Sequence, residues 1–392
     1  RTPLTAIKGW GETILTGMNK IAGKESKFNI LGWVGILANL MLTCTFVILC
    51  GITLAYMFLA FTGKLAGNTA EQHAEIYNGI MTNIPLMVVL CIIIAGSYIF
   101  VISRGVQKGL ERVCKFMVPV LLIMLIGLAI WSMFLPGGLE GVKWFFKPDF
   151  SVFNATMLGE AMWTVFLLAP IGYTAAFAFG SYLPEKESDL PGTATVIVLS
   201  DTTVGIIVGL SIFPAMFSAG LDPATIGQTS FFGGIPLTFD TLPGGQFLIP
   251  VFFVLAFFAL YTTGLGLAEG SISTIKDYFK ISRVKSATIV NIILLILAIL
   301  IVVLNGNGVI LRGLDPLSFF QYFVMLQLVP LSGMILVVFL WKFYKFDRFM
   351  EEANIGTAAY KVATWWKVLF AVVVPAVVIW TFYFGATIFY LG

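Results

Sequence analysis

Long runs of apolar residues dominate the chain, and short polar segments separate them. A helix needs about 20 apolar residues to cross the hydrocarbon core of a bilayer, and nine runs reach or approach that length. The runs do not alternate apolar with polar residues as the strands of a membrane barrel do, so they predict helices. The nine predicted spans are residues 31–62, 85–103, 113–135, 160–181, 193–218, 246–275, 286–304, 317–341 and 366–390.

The composition agrees with an all-α polytopic membrane protein. Of 392 residues, 59% are apolar and only 11% are charged, whereas roughly a quarter are charged in a soluble domain. The single histidine, His73, and the four cysteines show no metal-ligand spacing, and the spans contain no motif of an intramembrane enzyme. We therefore expect no enzyme and no transition metal, and the net charge of +3 is too small to predict a nucleic-acid partner.

The basic residues predict the orientation of the spans. Cytoplasmic loops of membrane proteins are rich in Lys and Arg. If residue 1 lies in the cytoplasm and the nine spans alternate, only four of the 23 basic residues fall outside, namely Lys64, Lys143, Lys147 and Arg312. We therefore predict a cell-membrane protein whose C-terminus lies outside. Its long outer loops would be residues 63–84, 136–159 and 219–245.

Residues 1–30 show a different pattern from the rest of the chain. Apolar residues recur there at spacings of three and four, which predicts an amphipathic helix on the cytoplasmic interface. They are Leu4, Ile7, Trp10, Ile14, Met18 and Ile21. Residues 31–392 form one predicted transmembrane bundle. The chain opens on Arg1 without an apolar leader, which we interpret as the start of a fragment.

The fourth predicted span contains helix-breaking residues at its middle. Pro170 and Gly172 lie within the sequence LLAPIGYTAAF. Proline removes a backbone hydrogen bond and glycine weakens a helix, so the span is either kinked or interrupted. Interrupted helices at membrane depth are typical of transporters, because their free backbone groups can bind a solute or an ion. The sequence leaves both possibilities open.

Polar residues inside the spans are candidates for ion binding. Thr262 and Thr263 offer adjacent hydroxyl oxygens, which suit a hard cation such as Na⁺. However, a threonine in a membrane helix often bonds only its own i−4 carbonyl. Glu269 follows two turns later, and a carboxylate in a span is either a functional group or an anchor for a basic residue. Asp201 is a second candidate acid, for coupling or for capping near an interface.

Four long segments carry the motifs that identify a family. They occupy residues 105–151, 180–190, 209–223 and 242–270, and include GSYLPEKESDL, GLSIFPAMFSAGLDP and FFALYTTGLGLAEG. In order and spacing the chain resembles the neurotransmitter:sodium symporter family, in its bacterial branch, over practically its whole length. The resemblance implies a leucine-transporter-type fold with two inverted five-helix repeats. The nine spans would then be family helices 3–11, and the chain would be N-terminally truncated, without the first two helices.

The resemblance also implies binding residues. The family's sodium site on helix 8 uses a carbonyl and two hydroxyls, which fall on Ala259, Thr262 and Thr263. Its substrate pocket falls on Leu42, Phe46, Leu167, Pro170, Tyr173, Thr263 and Leu267. Phe46 stands where the family normally has a tyrosine that contacts the substrate carboxylate. This pocket would be apolar with one or two hydroxyls, so an apolar or aromatic solute fits it better than a charged one.

The implied function is sodium-coupled symport of a small amino-acid-like or apolar organic solute by alternating access. Sodium would be the coupling ion, no other cofactor is expected, and the partners would be the solute and the lipid bilayer, with a homodimer also considered. The alternative is a diverged, sodium-independent or non-transporting paralogue that acts as a membrane sensor. Replacements of polar family residues by Phe46, Leu168 and Ser318 favour the alternative, and the retained threonine pair favours the symporter.

Overall fold

The structure, a computed structural model, describes residues 15, 29–168, 173–182, 189–221, 231–339, 341–342, 346–355 and 361–391. Its first helices are α1 (Asn29–Phe61), α2 (Ala70–Thr82), α3 (Ile84–Ser103), α4 (Glu111–Met133), α5 (Gly138–Phe146), α6 (Ala155–Leu168), α7 (Thr174–Ser181) and α8 (Leu190–Ser218). There follow α9 (Gly234–Asp240), α10 (Gly245–Phe279), α11 (Arg283–Gly306), α12 (Pro316–Phe323), α13 (Val329–Phe339), α14 (Phe346–Ala353) and α15 (Val374–Leu391). Shorter elements are the π turns Val106–Leu110, Val324–Leu328 and Leu369–Val373, the 3₁₀ turn Phe150–Val152 and the turn Trp366–Val368.

Eight helical stretches within the described residues are long and apolar enough to cross a membrane. They coincide with eight of the nine predicted spans, because the thickness of the hydrocarbon core sets the length of each apolar run. Three of these stretches include a π turn. The first π turn precedes α4, the second joins α12 to α13, and the third precedes α15. The prediction of an all-α polytopic membrane protein is confirmed.

The fourth predicted span, residues 160–181, consists of two shorter helices, α6 and α7. Tyr173 immediately precedes α7 and has an extended backbone, with φ −76° and ψ 144°. A kinked helix would keep helical angles at this residue, so the span is interrupted and not only bent. Pro170 and its neighbours at 169–172 lie outside the described residues.

The amphipathic helix predicted for residues 1–30 also lies outside the described residues, except at Leu15, Asn29 and Ile30. Leu15 is helical and buried, and it belongs to the same apolar core as Ile36 of α1. The side chain of Leu15 lies against Gly32, where an added Cβ would overlap it. The interfacial position of this segment stays a prediction.

Three helices lie within the segments that were predicted to be long outer loops. They are α2, α5 and α9, and each is too short to cross a membrane. The start of α2 nevertheless has a readable signal. Thr69 and Gln72 form a reciprocal capping box, in which the Thr69 hydroxyl accepts from the Gln72 N–H and the Gln72 side chain accepts from the Thr69 N–H.

The central helix of the bundle is α10, which packs against α1, α4, α7 and α11. Glycines on α10 let two neighbours approach closely. A Cβ on Gly270 would overlap the backbone of Ala175 in α7, and a Cβ on Gly264 would overlap the hydroxyl of Tyr98 in α3. The positions of α3 and α7 relative to α10 therefore depend on these two glycines.

Buried hydrogen bonds fix the register of the helices around α10. The Nδ2 of Asn39 in α1 donates to the Leu267 carbonyl at 2.6 Å and to the Ser271 Oγ at 2.7 Å. The Tyr261 hydroxyl of α10 donates to the Ser97 Oγ of α3 at 2.9 Å. Because hydrocarbon offers no competing partners, such bonds define where one helix sits against the next. They hold α1, α3 and α10 together as the frame of the candidate site.

Candidate functional site

Two adjacent threonines of α10 provide the oxygen atoms of the predicted ion site. The Thr262 Oγ1 donates to the Phe258 carbonyl at 2.8 Å, and the Thr263 Oγ1 donates to the Ala259 carbonyl at 2.9 Å. These are the i−4 bonds that threonine commonly forms in helices. Each hydroxyl uses only its proton in this way, so its lone pairs are free to face a cation. Thr263 is exposed, whereas Thr262 and Ala259 are half-buried.

The Ala259 carbonyl lies within hydrogen-bond distance of both hydroxyls, since the Thr262 Oγ1 is 3.2 Å away. In an α-helix this carbonyl also accepts the Thr263 N–H. Its two lone pairs are then occupied, and a cation could bind it only if the Thr263 hydroxyl turned its proton away. The three oxygens therefore fit a hard cation, but one of them must exchange a hydrogen bond for the ion.

Four of the predicted pocket residues converge on one apolar cluster. Leu42 of α1 and Tyr173 at the start of α7 are each 1% exposed and belong to its buried part. Phe46 and Leu267 pack against them. The side chain of Leu167 and all of Pro170 lie outside the described residues.

The apolar cluster lies next to the threonine pair. Leu267 follows Thr263 by one turn of α10, so both lie on the same face. The Cβ of Phe46 lies 3.4 Å from the position that a Cβ on Gly264 would take. Phe46 therefore packs beside the turn of α10 that carries the hydroxyls, and the predicted ion and solute residues are neighbours.

The π turn Val324–Leu328 completes this cluster, and no sequence pattern predicted it. Val324, Met325 and Leu328 are buried against Leu42 and Tyr173. A π turn inserts an extra residue into a helix and is frequent at functional sites. Hydropathy does not reveal such a turn, because the apolar run continues through it without a break.

Two buried hydroxyls at the start of α7 have no hydrogen-bond partner among the described residues. They are the Tyr173 Oη and the Thr174 Oγ1, and Thr174 is completely buried. A buried polar group without a partner costs about 1–3 kcal/mol. Moreover, no side chain caps the start of α7 among the described residues. The interruption thus places a small polar region within an apolar pocket.

Glu269 lies in a separate, charged cluster further along α10. Its carboxylate is completely buried and forms an ion pair with the Arg283 Nη2 of α11 at 2.5 Å. The Tyr182 hydroxyl donates to Glu269 at 2.5 Å, and the Ser273 Oγ donates to it at 3.0 Å. The Arg283 Nε also donates to the Ile102 carbonyl of α3 at 2.8 Å. These contacts are those of an anchor that joins α3, α7, α10 and α11.

The sequence named Glu269 but not its partners. Ser273 was readable, because residues four apart share one face of a helix. Arg283 and Tyr182 lie on other helices, and no local pattern indicates that they meet the acid. Asp201 does not join either cluster. Its side chain is exposed on α8, which packs mainly against α4 and α5.

Comparisons with known proteins agree with this architecture. The family model described as "Sodium:neurotransmitter symporter family" matches residues 69–390. An uncharacterized sodium-dependent transporter of Bacillus subtilis, YhdH, is 28% identical over 91% of this chain and 80% of its own length. A second such transporter, from Haemophilus influenzae, is 26% identical over 97% of this chain and 83% of its own length. The crystal structure of MhsT in complex with L-phenylalanine aligns with a TM-score of 0.83 and 26% identity, covering 98% of this chain and 87% of that one.

The Glu269 cluster predicts a large difference between two acid substitutions. Glu269→Gln leaves the half-buried Arg283 without its counter-charge, which costs about 3–5 kcal/mol of unfolding free energy. As the matched control, Glu111→Gln breaks an exposed pair with Lys115 on α4 and should cost under about 1 kcal/mol. Thermal unfolding of both variants in the same detergent measures the difference. Equal midpoints for the two variants would contradict the role of Glu269 as an anchor.

Proposed function

The chain belongs to the sodium:neurotransmitter symporter family and is a sodium-coupled symporter of a small solute in the membrane, and we propose which of its residues bind the ion and the solute. Sodium binds at the Ala259 carbonyl and the Thr262 and Thr263 hydroxyls. The single observation that carries this proposal is the convergence of these three oxygens within one turn of α10, beside the apolar cluster. Other elements that face α10 must supply the remaining ligands.

The solute that we propose is an aromatic or apolar amino-acid-like compound. Leu42, Phe46 and Leu267 offer apolar contact, and the described pocket residues include no charged side chain. MhsT, which shares the fold, is seen in complex with L-phenylalanine, and its ligand is of this class. The Tyr173 hydroxyl would donate to a polar group of the solute, which would give this buried group a partner that the described residues do not provide.

Coupling requires that each ligand prefers particular conformations of the protein. We infer that α7 transmits this preference, because it carries Tyr173 at one end and Tyr182 just beyond the other. Tyr182 is bonded to Glu269, so α7 is held to α10 at that end. Solute bound at Tyr173 and sodium bound on α10 would then favour the same arrangement of the two helices. In this proposal Glu269 positions α7 and does not touch the ion.

The orientation follows from the basic residues. We propose that residue 1 and the Glu269 cluster lie on the cytoplasmic side, and that the loops with α2, α5 and α9 lie outside. Arg283 and Lys285 follow Glu269 closely on the side predicted to be cytoplasmic, which supports this assignment. Solute would therefore enter from the side of α2 and α9.

The sodium site predicts a specific loss in Thr263 variants. A hydrogen-bond or ligand contact to a charged group contributes about 1.5–3 kcal/mol, which corresponds to roughly tenfold or more in affinity. Thr263→Ala should therefore need at least about tenfold more Na⁺ for the same rise in unfolding temperature, whereas Thr263→Ser should behave as the wild type. Titrating the purified protein with NaCl against KCl at constant ionic strength gives this measurement.

Thr288→Ala is the matched control for the sodium titration. Its hydroxyl makes the same i−4 bond, to the Val284 carbonyl at 2.9 Å, but at a half-buried position of α11. The control should keep the wild-type response to Na⁺. An equal response of the wild type to K⁺, or an unchanged response in Thr263→Ala, would exclude the proposed ion site.

The Tyr173 hydroxyl predicts how the pocket discriminates between solutes. Tyr173→Phe should weaken the binding of L-tyrosine, whose side chain has a hydroxyl, by about tenfold, since one buried hydrogen bond is lost. Binding of L-phenylalanine should stay unchanged or improve. Equilibrium binding of the two radiolabelled amino acids gives the ratio, with Tyr383→Phe on the exposed face of α15 as control. An equal loss for both amino acids, or binding of neither to the wild type, would contradict this assignment.

A further inference from the structure

The only histidine of the chain is buried without a hydrogen-bond partner among the described residues. His73 lies on α2, its side chain is completely buried, and neither its Nδ1 nor its Nε2 has a partner in the part of the chain that the structure describes. Two unsatisfied ring nitrogens in one buried side chain are costly, and native proteins rarely keep such groups without a reason. His73 is not part of the ion or solute site, and it lies on the side that the basic residues predict to be extracellular.

The helices around α2 place one carboxylate close to His73. This is Asp240, the last residue of α9, whose charge acts directly on the imidazole. Of the other elements packed against α2, α1 contributes Tyr56, and the outer turns of α3 and α11 contribute no titratable group. Asp315, at the start of α12, acts on Tyr77 of α2. Asp240 is therefore the counter-charge available to a protonated His73.

Asp240 already has a structural role. Its Oδ2 accepts the Gly67 N–H at 2.6 Å, which ties the loop after α1 to the end of α9. The same interface contains the stacked rings of Tyr77 and Phe232, with centroids 5.6 Å apart. A cavity of about 270 Å³ lies between α2 and α9, lined by Ala70, Ala74, Gly233 and Leu237 among others. The interface thus combines a polar contact at Asp240 with a cavity that Tyr77 also lines.

The charge state of His73 affects the stability of this interface. Burial lowers the pKa of His73 below its ordinary value, and the Asp240 carboxylate opposes the decrease only in part. The packed arrangement of α2 and α9 therefore binds the proton less well than an arrangement in which the imidazole is open to water. Its stability is complete above the ordinary imidazole pKa of about 6.5 and falls as the pH decreases below that value.

We propose that His73 is a proton-sensitive latch on the outer face: protonation of the buried imidazole draws Asp240 away from Gly67 and releases the loop after α1 from the end of α9. A buried imidazolium needs both a counter-charge and access to water. Movement of Asp240 supplies the first at the expense of the Gly67 bond, and release of the loop that contains Gly67 supplies the second. The neutral form keeps the interface closed.

Opening of the latch would act on the ion-binding helix. The turn Thr241–Gly244 is all that separates α9 from α10, which carries Ala259 and the two threonines. Loss of the Gly67 bond therefore removes one link between the end of α1 and the outer end of α10, the link that runs through α9. The latch depends on the contacts between α2 and α9, and not on the identity of the solute.

Hydrogen–deuterium exchange of the purified protein tests the latch without any transport assay. In the wild type, the amides of Gly67 and of its neighbours in the loop after α1 should lose protection several-fold between pH 7.5 and pH 5.5, after correction for the intrinsic exchange rate, and should regain it on return. His73→Gln keeps a polar side chain that cannot be protonated, so its protection should not change with pH. Asp240→Asn keeps an acceptor for Gly67 but removes the counter-charge, and should weaken the response.

Glu75→Gln is the matched control, because Glu75 is an exposed acid on the same helix. It should respond to pH as the wild type does. Unfolding temperatures at pH 7.5 establish that each variant is folded before exchange is compared. If a variant is not folded, the pH titration of the wild type tests the proposal without it. A wild type whose protection does not fall at pH 5.5, or a loss of protection that persists in His73→Gln, would overturn the proposal.

Discussion

The need to satisfy every backbone hydrogen bond inside the bilayer governs this protein. Hydrocarbon offers no partner to an N–H or C=O group, so each span must be helical wherever it meets lipid. An interruption is tolerated only where protein, water or a ligand can serve the freed groups. The extended backbone at Tyr173 is such an interruption, and two buried hydroxyls beside it have no partner among the described residues. The interruption is therefore also the best candidate for binding.

A single helix, α10, carries the proposed ion site, part of the apolar cluster and the charged anchor. Ala259, Thr262 and Thr263 offer their oxygens on one turn, Leu267 faces the apolar cluster one turn later, and Glu269 anchors three other helices beyond it. The glycines of α10 bring α3 and α7 into close contact with it. Binding at the threonines and movement of α7 are thus mechanically close, because the same helix carries both sets of contacts.

The sequence predicted most of the spans and only part of the site. Apolar length fixed the spans, since it is set by the bilayer, and Pro170 with Gly172 indicated where a helix would break. The helices α2, α5 and α9 were missed because they are short and partly polar. Arg283 contacts Glu269, and the π turn contacts Leu42, because segments that are distant in the sequence pack together. The prediction that Leu42 and Tyr173 share one pocket came from the family resemblance and not from a local sequence pattern.

The most direct test of sodium-coupled symport is solute accumulation driven by an ion gradient. In proteoliposomes that contain the purified protein, an inward Na⁺ gradient should concentrate radiolabelled L-phenylalanine above its equilibrium level. Dissipating the gradient with a sodium ionophore should release the accumulated solute. Uptake that only equilibrates the solute, or that proceeds equally with an inward K⁺ gradient, would contradict coupling to sodium.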